Sequence, residues 1–260
     1  MAAPAQSSFH PVERILDRGS LPSSWCAGCG IGTAVYALVN ALHGARFGAD
    51  EIFLVSGSGC TGHVADHFAS CAVRSRGVHL LDLAADRKLM DPRRAVIALM
   101  GNADLLVSGA QDLFRVTQRR VQIVVIHINN FVYVTTRTGV SANTPYRRLS
   151  HDQRFELPFN MPAVAIAYGA NYVARWTPLH AGWLKYSIVE ALSNEGVSFI
   201  EVVSPCLLYD GTERRIGQAF EKIRFYDGAG TGRTVDPYDE LDIRQPGGLV
   251  TGKILDRSVQ

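Results

Sequence analysis

Four cysteines lie where a metal or an iron–sulfur centre would need ligands. Cys26 and Cys29 form a Cys-x-x-Cys pair in the glycine-rich run Trp-Cys-Ala-Gly-Cys-Gly. Cys60 and Cys206 each follow a short apolar run that is typical of a buried strand. Thiolates in such loops suit a redox dithiol, a zinc ion or an iron–sulfur cluster. The pattern therefore predicts one metal centre built from three loops, either a 4Fe-4S cluster or structural zinc.

A second group of polar residues could hold a diphosphate and its cation. Residues 101–104 read Gly-Asn-Ala-Asp after one apolar run, and Asn129 and Asn130 end the next. A strand-to-helix turn that begins with glycine offers backbone N–H groups to a phosphate. Oxygen atoms of Asn102 and Asn130, with a nearby carbonyl, could hold a Mg²⁺ that bridges a diphosphate. Asparagine pairs at strand ends are also ordinary turn formers, so each piece alone is weak.

The elements that must position these residues follow a strand–helix rhythm. Continuous apolar strands between helices indicate a parallel sheet that is buried on both faces. The predicted strands are 51–55, 95–100, 121–128 and 197–203, and the predicted helices are 31–45, 103–120 and 178–194. We therefore expect an α/β fold, a doubly wound, mainly parallel sheet. Ligands of such sheets bind at the carboxyl ends of the strands, where the cysteines and asparagines fall.

Composition excludes several other classes of protein. The chain has 260 residues, of which 47% are hydrophobic and 19% charged, so it can bury a full core and is not intrinsically disordered. A net charge of +2 and the absence of basic runs argue against a nucleic-acid partner. No apolar run is long enough to span a membrane, and the first residues do not resemble a signal peptide. These features predict a cytoplasmic protein whose five cysteines are thiols or metal ligands and do not form disulfides.

Two regions complete the expected organisation. Residues 1–225 read as one α/β domain, whereas 226–260 are rich in Gly, Asp and Arg and predict an extended tail that lies on the domain or reaches a partner. The fifth cysteine, Cys71, falls in a helical pattern and is expected to be a small core residue.

These motifs, in this order, resemble the β subunit of the 2-oxoacid:ferredoxin oxidoreductases. That family has a Trp-Cys-x-Gly-Cys-Gly loop, a Gly-x-Gly-Cys loop and a late Ser-Pro-Cys, matched here by residues 25–30, 57–60 and 204–206. Its thiamine-diphosphate signature is Gly-Asp-Gly followed by Asn-Asn, matched by residues 101–103 and 129–130. Tyr133 and the Ser141…Thr144-Pro145 pattern fit the family's next segment.

The resemblance implies a reaction, its cofactors and its partners. The family carries out CoA-dependent oxidative decarboxylation of a 2-oxoacid, and its electrons leave through a 4Fe-4S cluster toward ferredoxin or another acceptor. The β subunit holds thiamine diphosphate, Mg²⁺ and the cluster, while an α subunit supplies the activating glutamate; γ and δ subunits are possible further partners. The fold implied is the diphosphate-binding module of thiamine enzymes.

The resemblance also assigns residues. Cluster ligands are Cys26, Cys29, Cys60 and Cys206, and Mg²⁺ ligands are Asn102, Asn130 and the Val132 carbonyl. The expected cofactor-binding residues are Gly28, Ser58, Gly59, His63, Gly101, Asn102, Ala103, Asp104, Asn130, Val132 and Tyr133. His63 and Arg137 are the candidates in this chain for contact with a phosphate or a substrate carboxylate, although Arg137 could equally be a surface residue.

Several positions depart from the family around the cofactor. Asn102 replaces the metal-binding aspartate and Ala103 replaces the second glycine of its motif. Asn102 carries no charge, so Mg²⁺ affinity should fall unless Asp104 compensates. Two alternatives therefore stay open. One is a degenerate family member that acts as an iron–sulfur electron-relay or scaffold subunit without thiamine catalysis; the other is a zinc-stabilised binding protein.

Overall fold

Seven strands form one sheet at the centre of the protein. The computed structural model describes residues 11–69, 72–74, 79–132, 159–204, 206 and 249–259. The strands are β1 (Ile52–Ser56), β2 (Ala72–Arg74), β3 (Ala95–Gly101), β4 (Ile123–Asn129), β5 (Tyr172–Trp176), β6 (Val197–Val203) and β7 (Gly252–Asp256). Their order across the sheet is β2-β1-β3-β4-β6-β5-β7. All neighbouring strands pair in parallel except β7, which is antiparallel to β5.

Helices cover both faces of this sheet. They are α1 (Ile31–Gly44), the short α2 (Gly59–Gly62), α3 (Leu80–Met90), α4 (Ala110–Gln118), α5 (Met161–Tyr168) and α6 (Ala181–Ser193). One apolar core packs α1 and α6 against the sheet, and a second lies on the opposite face under α3, α4 and α5. Residues of β3, β4 and β6 are almost entirely buried, because helices cover both sides. The predicted doubly wound, mainly parallel α/β fold is therefore confirmed.

The predicted elements agree with the observed ones to within one or two residues at most ends. The predicted helix 103–120 differs in detail, because Ala103–Gly109 form a π-helical segment before α4 begins. Predicted helix 178–194 begins with a 3₁₀ turn over Pro178–His180. The sequence reading did not include β5, β7, α2, α3 or α5. The helix it expected around Cys71 is wrong at Ala72–Arg74, which form β2.

The end of the chain belongs to the sheet rather than lying outside it. Within the expected tail 226–260, Gly252–Asp256 form β7, and Ile254 is buried in the second core. The alternating burial of Gly-Lys-Ile-Leu-Asp is that of an edge strand, a signal too short to stand out beside the polar residues before it. The division at residue 225 itself falls outside the described residues.

Four loops meet at the end of the sheet where the parallel strands have their carboxyl ends. Because β1, β3, β4 and β6 are parallel neighbours, the loops after Ser56, Gly101, Asn129 and Val203 emerge side by side. No helix in the described residues is long and apolar enough to cross a membrane.

Candidate active site

Hydrogen bonds join the three cysteine-bearing loops. Trp25 Nε1 donates to the carbonyl of Cys60 at 2.9 Å, which ties the Cys-x-x-Cys loop to the loop after β1. Ser204 Oγ, in the loop after β6, donates to the carbonyl of Cys29. The Cys-x-x-Cys loop also turns on itself, since Cys29 N donates to Cys26 O at 3.1 Å. These contacts bring the predicted cluster ligands to one corner of the sheet edge.

The four thiols lie near one another without converging on a single point. Burial, together with smaller effects of the neighbouring thiols of Cys26, Cys60 and Cys206, raises the pKa of Cys29 to about 11. All four are free. Within the described part of the chain, no three of these sulfur atoms lie within 4.8 Å of one another. A tetrahedral zinc site would hold its sulfurs about 3.8 Å apart, whereas a cluster binds each thiolate at a different iron atom.

An open cleft lies beside these thiols, at the ends of β1, β3 and β4. It is lined by the predicted residues Ser58, Gly59, Cys60, Gly101, Asn102, Ala103, Asp104, Asn130 and Val132, and also by Ile31, Thr61 and Ile128. Cys60 therefore borders both the cleft and the group of thiols. Nine of these lining residues are ones that the sequence reading assigned to the cofactor or the cluster, whereas Thr61 and Ile128 were not among its candidates.

Asp104 holds two walls of the cleft together. Its Oδ1 accepts hydrogen bonds from Ser58 N at 2.8 Å and Ser58 Oγ at 2.6 Å. Its Oδ2 accepts from Gly101 N at 3.0 Å. The buried carboxylate is thus occupied by the protein in this arrangement, which differs from the expected role of compensating for Asn102 at the cation. The N–H groups of Gly101 and Ser58 are likewise engaged and are not offered to a phosphate.

The three predicted cation ligands meet at one point. Asn102 Nδ2 lies 3.1 Å from Asn130 Oδ1 and 3.5 Å from the carbonyl oxygen of Val132. Asn130 Oδ1 also accepts a hydrogen bond from Val132 N at 3.2 Å, which identifies it as the oxygen of that side chain. On its other side, Asn102 Oδ1 lies 2.9 Å from His127 Nε2. The amide nitrogen of Asn102, rather than its oxygen, therefore faces the other two ligands.

A buried row of polar residues lies behind Asn102. His127 of β4, Glu201 of β6 and Arg175 of β5 occupy paired positions on three adjacent strands. Arg175 Nε donates to Glu201 Oε2, Asn129 Nδ2 donates to Glu201 Oε1 at 2.8 Å, and His127 Nδ1 lies 3.6 Å from Glu201 Oε1. Burial lowers the pKa of His127 to about 4, although the Glu201 charge opposes this. The imidazole is therefore neutral at pH 7.

Sequence reasoning did not include His127, Glu201 or Arg175 among the site residues. The signal that could have found them is a charged or polar side chain inside an otherwise apolar strand, which must be paired when it is buried.

The remaining predicted residues lie elsewhere. His63 does not line the cleft; its Nδ1 contacts Asp66 Oδ2 at 3.2 Å on the exposed side of α2. Gly28 has a φ of +85° and turns the Cys-x-x-Cys loop, so it serves the thiols rather than the cleft. Tyr133, Arg137 and Cys71 lie outside the described residues.

Comparisons with known proteins agree with this arrangement. Residues 75–202 match the thiamine pyrophosphate enzyme C-terminal TPP-binding domain, which is the class of protein that the sheet and cleft define. A solved 2-oxoglutarate:ferredoxin oxidoreductase from Magnetococcus marinus has the same fold, with a TM-score of 0.79 and 18% identity over 96% of this chain and 86% of that one.

Relatives in sequence specify the family. The 2-oxoglutarate synthase subunit KorB of Methanothermobacter thermautotrophicus is 32% identical over 219 residues, which cover 83% of this chain and 77% of that protein. The 2-oxoacid:ferredoxin oxidoreductase 1 subunit beta of Aeropyrum pernix is 30% identical over 198 residues, covering 72% of this chain and 60% of that subunit. The chain belongs to the family of β subunits of 2-oxoacid:ferredoxin oxidoreductases, as its motifs predicted.

Proposed function

We propose that this chain is the catalytic β subunit of a CoA-dependent 2-oxoacid oxidoreductase. In this assignment it holds thiamine diphosphate in the cleft and a 4Fe-4S cluster on Cys26, Cys29, Cys60 and Cys206. The observation that carries the proposal is the position of Cys60, which borders the cleft and lies among the thiols. A cofactor in the cleft and a cluster on the thiols would then be neighbours.

The substrates and partners follow from the relatives. The Magnetococcus marinus enzyme was solved with 2-oxoglutarate, coenzyme A and succinyl-CoA bound, and the relatives are named as subunits of larger enzymes. We assign this chain a 2-oxoacid, CoA, an α subunit and ferredoxin or another one-electron acceptor. The α subunit would supply the activating glutamate. We also assign the chain to the cytoplasm, whose reducing conditions keep cysteines available as cluster ligands.

The residues of this chain have distinct tasks in that reaction. When bound, thiamine diphosphate supplies an electron sink at the substrate's carbonyl carbon, and the cluster accepts single electrons. Gly59 and Gly101 leave room for the diphosphate beside the loops that Asp104 joins. Trp25 and Ser204 hold the cysteine loops against each other. Each task positions a cofactor, so the substrate-activating group is expected in the partner.

The residues present fit a divalent cation on one condition. Neighbouring ligands of octahedral Mg²⁺ lie about 2.9 Å apart, because each Mg–O distance is roughly 2.0–2.1 Å. Asn102 Nδ2 lies 3.1 Å from Asn130 Oδ1, a hydrogen-bond distance close to this spacing, and 3.5 Å from the Val132 carbonyl oxygen. Asn102 must, however, present oxygen instead of nitrogen to the cation.

The observed orientation of the Asn102 amide supports one alternative function. With its N–H donors directed at Asn130 and Val132, Asn102 satisfies both oxygens without a cation. A cluster-carrying relay or scaffold subunit without thiamine would keep that arrangement.

Cofactor content distinguishes these functions. The chain is purified without oxygen together with a co-expressed α subunit, and iron, zinc and thiamine diphosphate are measured per chain. Four irons and one thiamine diphosphate, with CoA-dependent reduction of a one-electron dye by 2-oxoglutarate or another 2-oxoacid, are expected. Four irons without thiamine diphosphate, even after its addition with Mg²⁺, would establish the relay function instead. Zinc in place of iron would overturn both.

Variants of the cysteines supply the matched comparison. Cys60→Ser and Cys206→Ser should lower the iron content to less than half, because each removes one of four ligands. Cys71→Ser is the control, since that residue is expected to be a core residue and should leave iron unchanged. Full iron in Cys206→Ser would exclude it from the ligand set.

A further inference from the structure

The side-chain amide of Asn102 can present either of two atoms to the proposed cation. Its nitrogen and oxygen ends are nearly equal in shape, so rotation by 180° about the Cβ–Cγ bond exchanges them with little steric change. In the observed orientation the nitrogen faces Asn130 and Val132, and the oxygen faces His127. An amide N–H cannot ligate a cation, whereas the amide oxygen can.

His127, which contacts Asn102 on its buried side, decides between these two orientations of the amide. If His127 Nε2 carries a proton, it donates to Asn102 Oδ1 and the nitrogen of Asn102 points to the cleft. If Nε2 is an acceptor, it receives a hydrogen bond from Asn102 Nδ2 and the oxygen points to the cleft. A neutral imidazole has one donor and one acceptor nitrogen, so the second case requires the proton on Nδ1.

Glu201 lies where it favours that second case. His127 Nδ1 faces Glu201 Oε1 at 3.6 Å, and both side chains are almost fully buried. A carboxylate beside one imidazole nitrogen stabilises the proton on that nitrogen. Glu201 cannot swing away easily, because Arg175 and Asn129 hold its two oxygens. A proton held on Nδ1 by this carboxylate would leave Nε2 of His127 as an acceptor for the amide of Asn102.

We propose that His127, oriented by Glu201, is the positioning residue that turns the oxygen of Asn102 toward a divalent cation. In this way a neutral amide replaces the aspartate that the family motif carries at this position. Residues that hydrogen-bond to a metal ligand from behind commonly fix its orientation. The inference rests on the proposed thiamine-diphosphate function and adds residues that do not touch the cofactor.

The test measures cation binding rather than turnover. Mn²⁺ is titrated into the anaerobically purified complex with thiamine diphosphate, and free Mn²⁺ is followed by electron paramagnetic resonance. His127→Leu, which removes the acceptor, should weaken Mn²⁺ binding at least about tenfold, as loss of residues that orient metal ligands commonly does. His127→Gln keeps an acceptor near the position of Nε2 and should remain within about threefold of the parent.

A double-mutant comparison separates orientation from damage. Asn102→Asp presents carboxylate oxygen in either orientation, so adding His127→Leu to it should change Mn²⁺ affinity by less than about threefold. Thr117→Val, another buried polar position that bonds only within α4, is the control for loss of a buried polar group. Iron content and thermal unfolding of each variant verify that the fold is retained.

Several results would contradict the proposal. If His127→Leu weakened Mn²⁺ binding equally in the parent and in Asn102→Asp, the loss would come from structural damage. If it weakened Mn²⁺ binding in neither, His127 would serve only in packing. A third contrary result is that thiamine diphosphate binds equally well when a chelator is present, without any uptake of Mn²⁺. That result would show that the side-chain nitrogen of Asn102 keeps its position and that no cation binds there. Absence of thiamine diphosphate from the parent and from Asn102→Asp would instead overturn the proposed function itself.

Discussion

The carboxylate of Asp104 occupies the space that a side chain on Gly57 would fill. A Cβ atom added to Gly57 would overlap Asp104 Oδ2 and Cγ, so the absence of a side chain at 57 is what admits the carboxylate. From that position Asp104 bonds the loop after β1 and Gly101, the last residue of β3. Gly57 and Asp104 thus act together to shape the cleft.

Asp104→Asn should widen the cleft and weaken cofactor binding. An asparagine can accept the Ser58 bonds on one side, but its NH₂ group would then face the N–H of Gly101. A buried donor without an acceptor costs about 1–3 kcal/mol, so we expect that loss in the free energy of unfolding and at least about tenfold weaker thiamine diphosphate binding. Calorimetric titration measures the affinity and denaturant unfolding the stability. Asp86→Asn, an exposed carboxylate of α3, is the control and should be silent; unchanged affinity in Asp104→Asn would contradict the assigned role.

Gly30→Ala should separate the cysteine loops. Gly30 has a φ of +83°, and an added Cβ would overlap Pro178 Cγ and Ser204 Oγ. The left-handed backbone alone costs an alanine about 1–2 kcal/mol, and the overlap adds to this. We expect less than half of the parent's iron after anaerobic purification. Gly44→Ala, at the open end of α1 with no atom near the added Cβ, should retain full iron. Full iron in both would show that the contact between these loops is dispensable.

Trp25→Phe should speed loss of the cluster. The change removes the hydrogen bond from Nε1 to the Cys60 carbonyl but keeps a ring to pack against His67. One such bond contributes about 1 kcal/mol, which corresponds to about fivefold faster bleaching in a chelator, followed by visible absorbance. Trp183→Phe, on the exposed side of α6, is the matched control. Equal bleaching of all three proteins would show that this bond does not hold the loop.

Cys29 should stay protonated to unusually high pH in the cluster-free chain. Its pKa is raised to about 11, first by burial and then by the neighbouring thiols. Only the thiolate reacts with iodoacetamide, so labelling of Cys29 should rise about tenfold per pH unit beyond pH 9 and level off near 11. Mass spectrometry of the labelled peptide measures this rate. A plateau at pH 9 would contradict the raised pKa.

The same shift has a consequence for stability. A thiol whose pKa is higher in the folded chain favours folding while it is protonated. Its contribution is complete below the ordinary value of 9.0 and is lost as pH rises toward about 11. The cluster-free chain should therefore lose stability over that alkaline range, and Cys29→Ser should lose less. Denaturant unfolding at several pH values provides the comparison.

Much of the site could be predicted because its residues sit in local patterns with a fixed place in a parallel sheet. Cys60, Gly101 and Asn130 each follow a continuous apolar strand, and parallel strands deliver such residues to one edge whatever their exact length. Long apolar runs such as 121–128 are unambiguous strands, whereas β7 and β2 are short edge strands whose pattern is weak. The position of His63 against Asp66 was not predictable, because it depends on the direction in which α2 leaves the loop.

The sequence by itself determined the strand–helix rhythm and the family, and it predicted the candidate ligands of both sites, because spacing along the chain carries that information. Only the tertiary structure decided that Asp104 serves the loops instead of the cation, since its partners come from residues more than forty positions earlier as well as from Gly101. It alone placed His127 opposite Glu201 and Glu201 opposite Arg175. Pairing of strands distant in sequence sets those contacts, and no local pattern records which buried polar side chains will meet.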